Sequence, residues 1–267
     1  MQLALLICDQ SDISWLENFL DFSDLQQLSG AEILPEHDTC LVLKWDADGL
    51  SLHAPGHGNA GATRVDFESA RLRHRVETTR KHEGLLKAVG MDKLKQGQPW
   101  HVVDATAGLG IDAFTLAAKG CQVTLLEKNP VMAALLHDGF RRGSNSADPA
   151  VRDTLARMTL CHADTHDYFA QPGATCPDVI YLDPMFPPRR KSARVKKDIA
   201  LMQSLLPPNE DVAELLALAR GLAGRRVVLK QPGKAGKADR AKADFLVPGK
   251  ACHFEVFLTH NLEQVSS

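Results

Sequence analysis

Val102-Val103-Asp104-Ala105-Thr106-Ala107-Gly108-Leu109-Gly110-Ile111-Asp112-Ala113 joins a short apolar strand, His101-Val102-Val103, to a helix that the pattern predicts over Asp112 to Lys119. Gly108 and Gly110 let the backbone approach a ligand closely, and the start of the helix offers N–H groups with no partner inside the helix. Glycine at both positions also satisfies Gly-x-Gly-x-x-Ala, the pattern of a dinucleotide turn. The loop therefore predicts a nucleoside-binding α/β fold with two competing ligand classes.

Downstream, the same alternation continues. Cys121 to Leu126 reads as a second strand, and Pro130 to Arg141 as a second helix with proline at its first turn. Met158 to Cys161, Val179 to Leu182 and Val227 to Lys230 supply further strands, and Asp211 to Leu222 is a strongly periodic helix. Ala243 to Val247 and His253 to Thr259, around Pro248-Gly249-Lys250, read as a closing antiparallel pair. Strands alternating with helices from residue 101 to residue 230 predict a doubly wound, mainly parallel α/β sheet.

Upstream, residues 1–60 read as a small, mostly β domain. Leu41 to Trp45 and Leu50 to His53 flank Asp46-Ala47-Asp48-Gly49, a hairpin with glycine where positive φ is needed. Residues 61–99 form a helix-compatible, basic connecting segment that includes Arg64, Arg71, Arg73, His74, Arg75 and Arg80. Residues 100–267 carry the main domain.

Of the 267 residues, 44% are hydrophobic and 24% charged, the profile of an ordinary globular protein, and the net charge is −2. Bulk charge therefore does not point to nucleic acid, but its distribution does: six of the nine residues from Arg189 to Lys197 are Arg or Lys. The six cysteines lack the spacing of a disulfide framework or a zinc site, so no metal is expected. The opening run Met1 to Cys8 has no basic flank and is too short to span a bilayer, so a strand and a cytoplasmic protein are expected.

Asp104 separates the two ligand classes. A carboxylate beside the turn repels a pyrophosphate, whereas it pairs with the ammonium of an amino-acid-bearing methyl donor. Asp112 adds a second negative group. Glu127, ending the second strand in Leu125-Leu126-Glu127-Lys128-Asn129-Pro130, can accept from both ribose hydroxyls, and Asp164 in Cys161-His162-Ala163-Asp164-Thr165 can accept from an adenine amino group. Taken singly, Asp112 and Asp164 also read as helix caps and Glu127 as a solvated acid. Their order in one α/β run favours S-adenosylmethionine, leaving S-adenosylhomocysteine as product.

After the fourth strand comes Val179-Ile180-Tyr181-Leu182-Asp183-Pro184-Met185-Phe186-Pro187-Pro188. Acid-Pro-x-aromatic at a strand's end suits methylation of an amine conjugated to a π-system, whose lone pair is delocalised. Asp183 and the Pro184 carbonyl can accept the amine N–H bonds, and Phe186 can stack on the base, worth about 1–3 kcal/mol. Cys176 precedes Pro177, the reverse of the order used for covalent attack on pyrimidine carbons, and reads as structural. Asp-Pro also commonly starts turns.

Asp104 to Gly110, Glu127-Lys128-Asn129-Pro130 and Asp183-Pro184-Met185-Phe186-Pro187, with the trailing Lys191-Ser192-Ala193-Arg194-Val195-Lys196-Lys197, resemble the ribosomal small-subunit methyltransferase J family from about Val65 onward. The resemblance implies a Rossmann-like class I methyltransferase with a seven-stranded sheet closed by an antiparallel strand. It implies guanine-N2 methylation near the 3′ end of 16S ribosomal RNA, in naked RNA or the small ribosomal subunit. It also implies cofactor contacts at Ile111, Asp112, Glu127, Lys128, Asp164, Thr165 and Asp183. Arginine is usual in that family where Ile111 stands, so only a main-chain contact carries over there.

Arg189, Arg190, Lys191, Arg194, Lys196 and Lys197 follow the motif directly, where phosphates beside the target base would meet them. A second tract, Arg225, Arg226, Lys230, Lys234, Lys237, Arg240 and Lys242, reads equally as its extension or as a solvated face. Three other readings stand beside this one. A nicotinamide-dependent oxidoreductase explains the glycines and Glu127 but leaves Asp183 to Phe186 idle. DNA adenine-N6 or a protein glutamine amide would serve the same motif as acceptor, and a non-catalytic RNA-binding protein would retain only the fold.

Overall fold

The computed structural model describes residues 2–8, 13–21, 26–29, 40–53, 62–80, 82, 84–93, 99–171, 176–184, 212–233 and 243–259. Strands β1 (Gln2–Ile7), β2 (Gln26–Ser29), β3 (Cys40–Asp46), β4 (Gly49–His53) and β5 (Ala62–Thr63) form one sheet, ordered β2-β1-β3-β4-β5. The sheet is mixed: β1 runs parallel to β2 and β3, and the β3–β4 and β4–β5 pairs are antiparallel. The β3–β4 hairpin turns at Ala47-Asp48, with Asp46 opposite Gly49 and Gly49 at φ +103°.

Helices α1 (Ala70–Thr78) and α2 (Gly84–Val89) lead into β6 (His101–Asp104). There follow α3 (Ile111–Ala118), β7 (Gln122–Glu127), α4 (Pro130–Ser144), α5 (Pro149–Leu155), β8 (Met158–His162), α6 (Thr165–Ala170), β9 (Val179–Leu182), α7 (Val212–Leu222), β10 (Arg226–Pro232), β11 (Phe245–Pro248) and β12 (Cys252–Leu258). The second sheet has seven strands in the order β11-β12-β10-β9-β6-β7-β8. The five from β10 to β8 are parallel, and β12 enters antiparallel between β10 and β11. This is the doubly wound sheet with an antiparallel close that the alternation predicts.

Each parallel strand divides its side chains between two cores. Val102, Val123, Leu125, Val179, Tyr181 and Val228 pack on one face with Leu116 and Leu135 of α3 and α4. Val103, Leu126, Ile180, Leu182, Val227 and Leu229 pack on the other with Leu215 and Ala219 of α7. Burial on both faces explains why these strands read as unbroken apolar runs rather than as alternating ones.

The first core continues into the N-terminal sheet through Leu43, Trp45, Leu50 and Leu52, and α4 packs against β4. Asp138 of α4, fully buried, accepts from the Leu50 backbone N–H at 2.9 Å and pairs with Arg141 at 2.9 Å and Arg142 at 2.8 Å. The buried carboxylate thus has a backbone donor and two guanidinium groups, the condition under which its burial is tolerated.

Helix starts follow local chemistry. Asn129 caps α4 by accepting from Val131 and Met132, with Pro130 at the first position, and Asp148 caps α5 by accepting from Ala150. Helices α5 and α6 have seven and six residues, too short to stand out as a hydrophobic period in the sequence.

Candidate active site

In a sheet of this kind the strand ends at the carboxyl edge bracket the ligand crevice. Here the loops after β6, β7, β8 and β9 are joined to one another at that edge. Gly108 and Gly110 adopt left-handed φ of +55° and +70°, so the chain turns tightly out of β6 and into α3. The Gly108 N–H donates to Glu127 Oε2 at 3.0 Å, and the Asn129 N–H donates to Oε1 of the same carboxylate at 2.8 Å. Glu127 is therefore held with both oxygens engaged by backbone donors from two different loops. Thr165 Oγ1 donates to the Ala105 carbonyl at 3.0 Å, which ties the loop after β8 to the glycine turn.

Asp104 ends β6 and is 2% exposed; its carboxylate accepts from the Thr106 N–H at 3.2 Å. Among the described residues no cation lies within ion-pair distance of it. Burial, with Asp112 and Asp183 nearby, holds its carboxyl well above the usual carboxylate range.

Asp112, in the first turn of α3, sits at the centre of a charged cluster. It accepts from Tyr181 Oη at 2.6 Å and Lys230 Nζ at 2.8 Å, and it pairs with Arg75 Nη2. Burial pushes this carboxyl up, but Lys230 and Arg75 outweigh it and hold the group below its ordinary value. Lys230 Nζ also lies 2.7 Å from Asp183 Oδ2, so one ammonium bridges two carboxylates. Asp183 follows β9 directly, and its backbone N–H donates to Thr106 Oγ1 at 2.6 Å. Burial and Asp112 raise its carboxyl against the opposing pull of Lys230.

Asp104, Gly108, Gly110, Asp112, Glu127, Thr165 and Asp183 therefore meet at one edge of the sheet. Lys128 lies just past Glu127, half-buried, and Ile111 is 37% exposed at the mouth of α3. Asp164 caps α6, accepting from the His166 N–H at 2.8 Å through one oxygen. Asp112, by contrast, is not the cap of α3: that position is Gly110. Pro184 is buried beside Asp183. Phe186, Arg189, Arg190, Lys191, Arg194, Lys196 and Lys197 lie outside the described residues.

Sequence reasoning missed four members of this cluster. Thr106 is an unremarked letter inside the glycine turn, and Tyr181 sits in an apolar strand where its hydroxyl must find a partner. Arg75 stands among several arginines on α1. Lys230 stands in a basic tract that reads as an RNA-facing extension or a solvated face, and the surface reading fails for two of its three described members, Lys230 and Arg226, whereas Arg225 is exposed. Lys230 is paired in the site, Arg225 pairs with Asp178 at 2.7 Å, and Arg226 is 5% exposed, donating to the Ala88 carbonyl at 3.2 Å. The available signal was a lysine ending the unbroken apolar run Val227-Val228-Leu229, the position at which parallel strands present functional side chains.

Comparison with known proteins agrees with this geometry. Residues 26–259 match a family described as "Putative SAM-dependent methyltransferase". The chain is 44% identical over 223 residues to ribosomal RNA small subunit methyltransferase J of Thioalkalivibrio sulfidiphilus, covering 83% of this chain and 86% of that protein. It is likewise 44% identical over 223 residues to the protein of that name from Pseudoalteromonas atlantica, covering 82% and 85%. The crystal structure of a SAM-dependent methyltransferase from Neisseria gonorrhoeae superimposes with a TM-score of 0.68 at 27% identity, covering 99% of both chains.

Proposed function

This chain belongs to the ribosomal RNA small subunit methyltransferase J family of S-adenosylmethionine-dependent enzymes, and from that premise we propose that its acceptor is the exocyclic N2 of a guanosine near the 3′ end of 16S ribosomal RNA. The observation that carries this reading is the placement of Asp183. Its carboxylate shares Lys230 with Asp112 of the glycine-turn helix, which supports reading the motif after β9 and the glycine turn as parts of one site.

Bound S-adenosylmethionine supplies an electrophilic methyl group on a sulfonium centre. In this reading Asp104 receives the ammonium of the donor's amino-acid end. Glu127, already oriented by two backbone donors, accepts from the ribose hydroxyls. Lys128 and the main chain at Ile111 flank the same ligand, and the free oxygen of Asp164, beside Thr165, faces its base. Asp183 and the Pro184 carbonyl accept the N–H bonds of guanine N2 and favour the pyramidal nitrogen, whose localised lone pair attacks the methyl carbon. As the new C–N bond forms and the C–S bond breaks, the surplus proton leaves to Asp183 or to water. Phe186 stacks on the base, and most of the rate gain is proximity and alignment.

Arg189, Arg190, Lys191, Arg194, Lys196 and Lys197 are assigned to the phosphates around the target on the strength of their position after the motif. The cytoplasm, where small ribosomal subunits are made, is the compartment this reading requires. Among the described residues no helix is long and apolar enough to cross a membrane.

The test is transfer of labelled methyl from S-adenosylmethionine to small ribosomal subunits, and separately to naked 16S RNA, from a strain lacking this protein. Labelled N2-methylguanosine after nucleoside digestion is the expected product. Label in a different nucleoside, or in protein, overturns the acceptor assignment.

A further inference from the structure

Lys230 lies in β10 just past the end of its pairing with β9: Leu229 is the last residue opposite β9, at Leu182, and Lys230 lies opposite Phe254 of β12. The lysine backbone is held by β12 and by the β9-paired residue before it, and its ammonium reaches Asp112 Oδ2 at 2.8 Å and Asp183 Oδ2 at 2.7 Å. Burial disfavours the charge, but the two carboxylates outweigh it and hold the ammonium firmly protonated, above the ordinary lysine range. Asp112 is itself anchored from the far side by Arg75 and by the Tyr181 hydroxyl at 2.6 Å. A chain of contacts therefore runs from α1 and β9, through Asp112 and Lys230, to one oxygen of Asp183. With the Asp183 backbone N–H on Thr106, main chain and side chain are held independently.

We propose that Lys230 is a positioning residue for methyl transfer: by engaging Oδ2 of Asp183 it fixes the plane of that carboxylate and leaves Oδ1 as the oxygen offered to the acceptor amine. The inference rests on the reading of Asp183 as the group that accepts from the amine. An unrestrained aspartate at the end of a strand samples several rotamers, and only some aim an oxygen at a base held beside it. Lys230 is three-quarters buried and holds two carboxylates at once, so leaving Asp183 would also mean moving away from Asp112.

The charged and titratable groups facing Asp183 come from five other elements: Lys230 of β10, Asp112 of α3, Arg75 of α1, Asp104 of β6 and Cys252 of β12, together with Tyr181 of β9 itself. Lys230 is the nearest cation, and Arg75 is committed to Asp112. Removing the lysine charge leaves Asp183 facing two carboxyl groups, so its own carboxyl rises and its ionised form is reached only at higher pH.

Lys230→Met and Lys230→Gln test this against the wild-type enzyme, whose labelling of N2-methylguanosine is the baseline. Both variants are expected to bind S-adenosylhomocysteine within a few-fold of wild type and to lose roughly 10²-fold in kcat. The acidic limb of kcat should move to higher pH, and Lys230→Arg should recover part of the rate and most of the shift. Carboxyl-carbon NMR of the free protein should show Asp183 titrating at higher pH in Lys230→Gln than in wild type. Either neutral variant with wild-type kcat, or with an unmoved acidic limb and an unmoved Asp183 titration, overturns the proposal; the NMR titration decides it even for a variant with no measurable turnover. A wild-type enzyme that makes no N2-methylguanosine refutes the acceptor assignment instead.

Discussion

The backbone N–H of Asp183 donates to the hydroxyl of Thr106 at 2.6 Å, so the turn after β9 hangs from the turn after β6. Thr106→Val keeps the shape of the residue and removes the acceptor. It should lower kcat by about tenfold or more through misplacement of the amine-binding turn, while affinity for S-adenosylhomocysteine changes little. Thr106→Ser should behave as wild type. Steady-state kinetics with calorimetry on the three proteins checks this; equal losses in Thr106→Ser would show that the methyl group, not the hydroxyl, matters.

Glu127 engages Gly108 and Asn129 through different oxygens, so it organises the glycine turn as well as a ligand. Glu127→Ala should weaken S-adenosylhomocysteine binding by about 1.5–3 kcal/mol, roughly 10- to 150-fold in Kd. Calorimetric titration reads it directly.

Asp104 gives the site a pH signature. Burial, with the neighbouring Asp112 and Asp183, raises its carboxyl well above the usual range in the free protein. An ammonium ligand needs the ionised form, so affinity for S-adenosylhomocysteine should climb as pH rises from the ordinary carboxylate range through the raised value, then level off. Binding inside that window should release a proton. The sign for folding is opposite: the neutral carboxyl favours the native state, and that contribution is complete below the unfolded value and lost as pH rises through the folded one. Asp104→Asn should bind weakly with no such climb.

Asp138 is the buried tie between α4 and the N-terminal sheet. Asp138→Ala leaves the Leu50 N–H without its acceptor and frees two arginines from their partner, a loss of about 3 kcal/mol in urea unfolding. Gly49→Ala should destabilise for a related reason. Its φ is +103°, and a Cβ there would come within 2.5 Å of both Asp138 Oδ2 and Arg142 Nε.

Arg189, Arg190 and Lys191 replaced together by alanine should weaken RNA binding and lower the slope of log K against log salt by roughly 2, as expected for the loss of three phosphate contacts. Affinity for S-adenosylhomocysteine should not change. Filter binding across a salt series makes the comparison, and an unaltered slope refutes the assignment.

The parallel strands were legible because strands buried on both faces announce themselves as apolar runs, and because Gly108, Gly110 and Glu127 have a fixed place in such a sheet. The ends of β6 and β9 also bring Asp104 and Asp183 to the same edge of the sheet, close enough for each carboxyl to act on the other. The partners of these acids were not legible. Arg75 reaches Asp112 across 37 residues and Lys230 reaches it across 118, and which of many cations closes a pair is decided only by packing. Short helices such as α6 escaped for a different reason: Asp164 caps it visibly, but one and a half turns carry too few apolar positions to establish a period.

Strand β12 lies between β10 and β11 although it follows both in the chain. During synthesis β10 has therefore only one neighbour until Cys252–Leu258 has left the ribosome, and the strand that bears Lys230 stays a bare edge, open to pairing with other chains. A nascent polypeptide lacking those final strands would hold most of the sheet with the backbone of its lysine-bearing strand uncovered along one side.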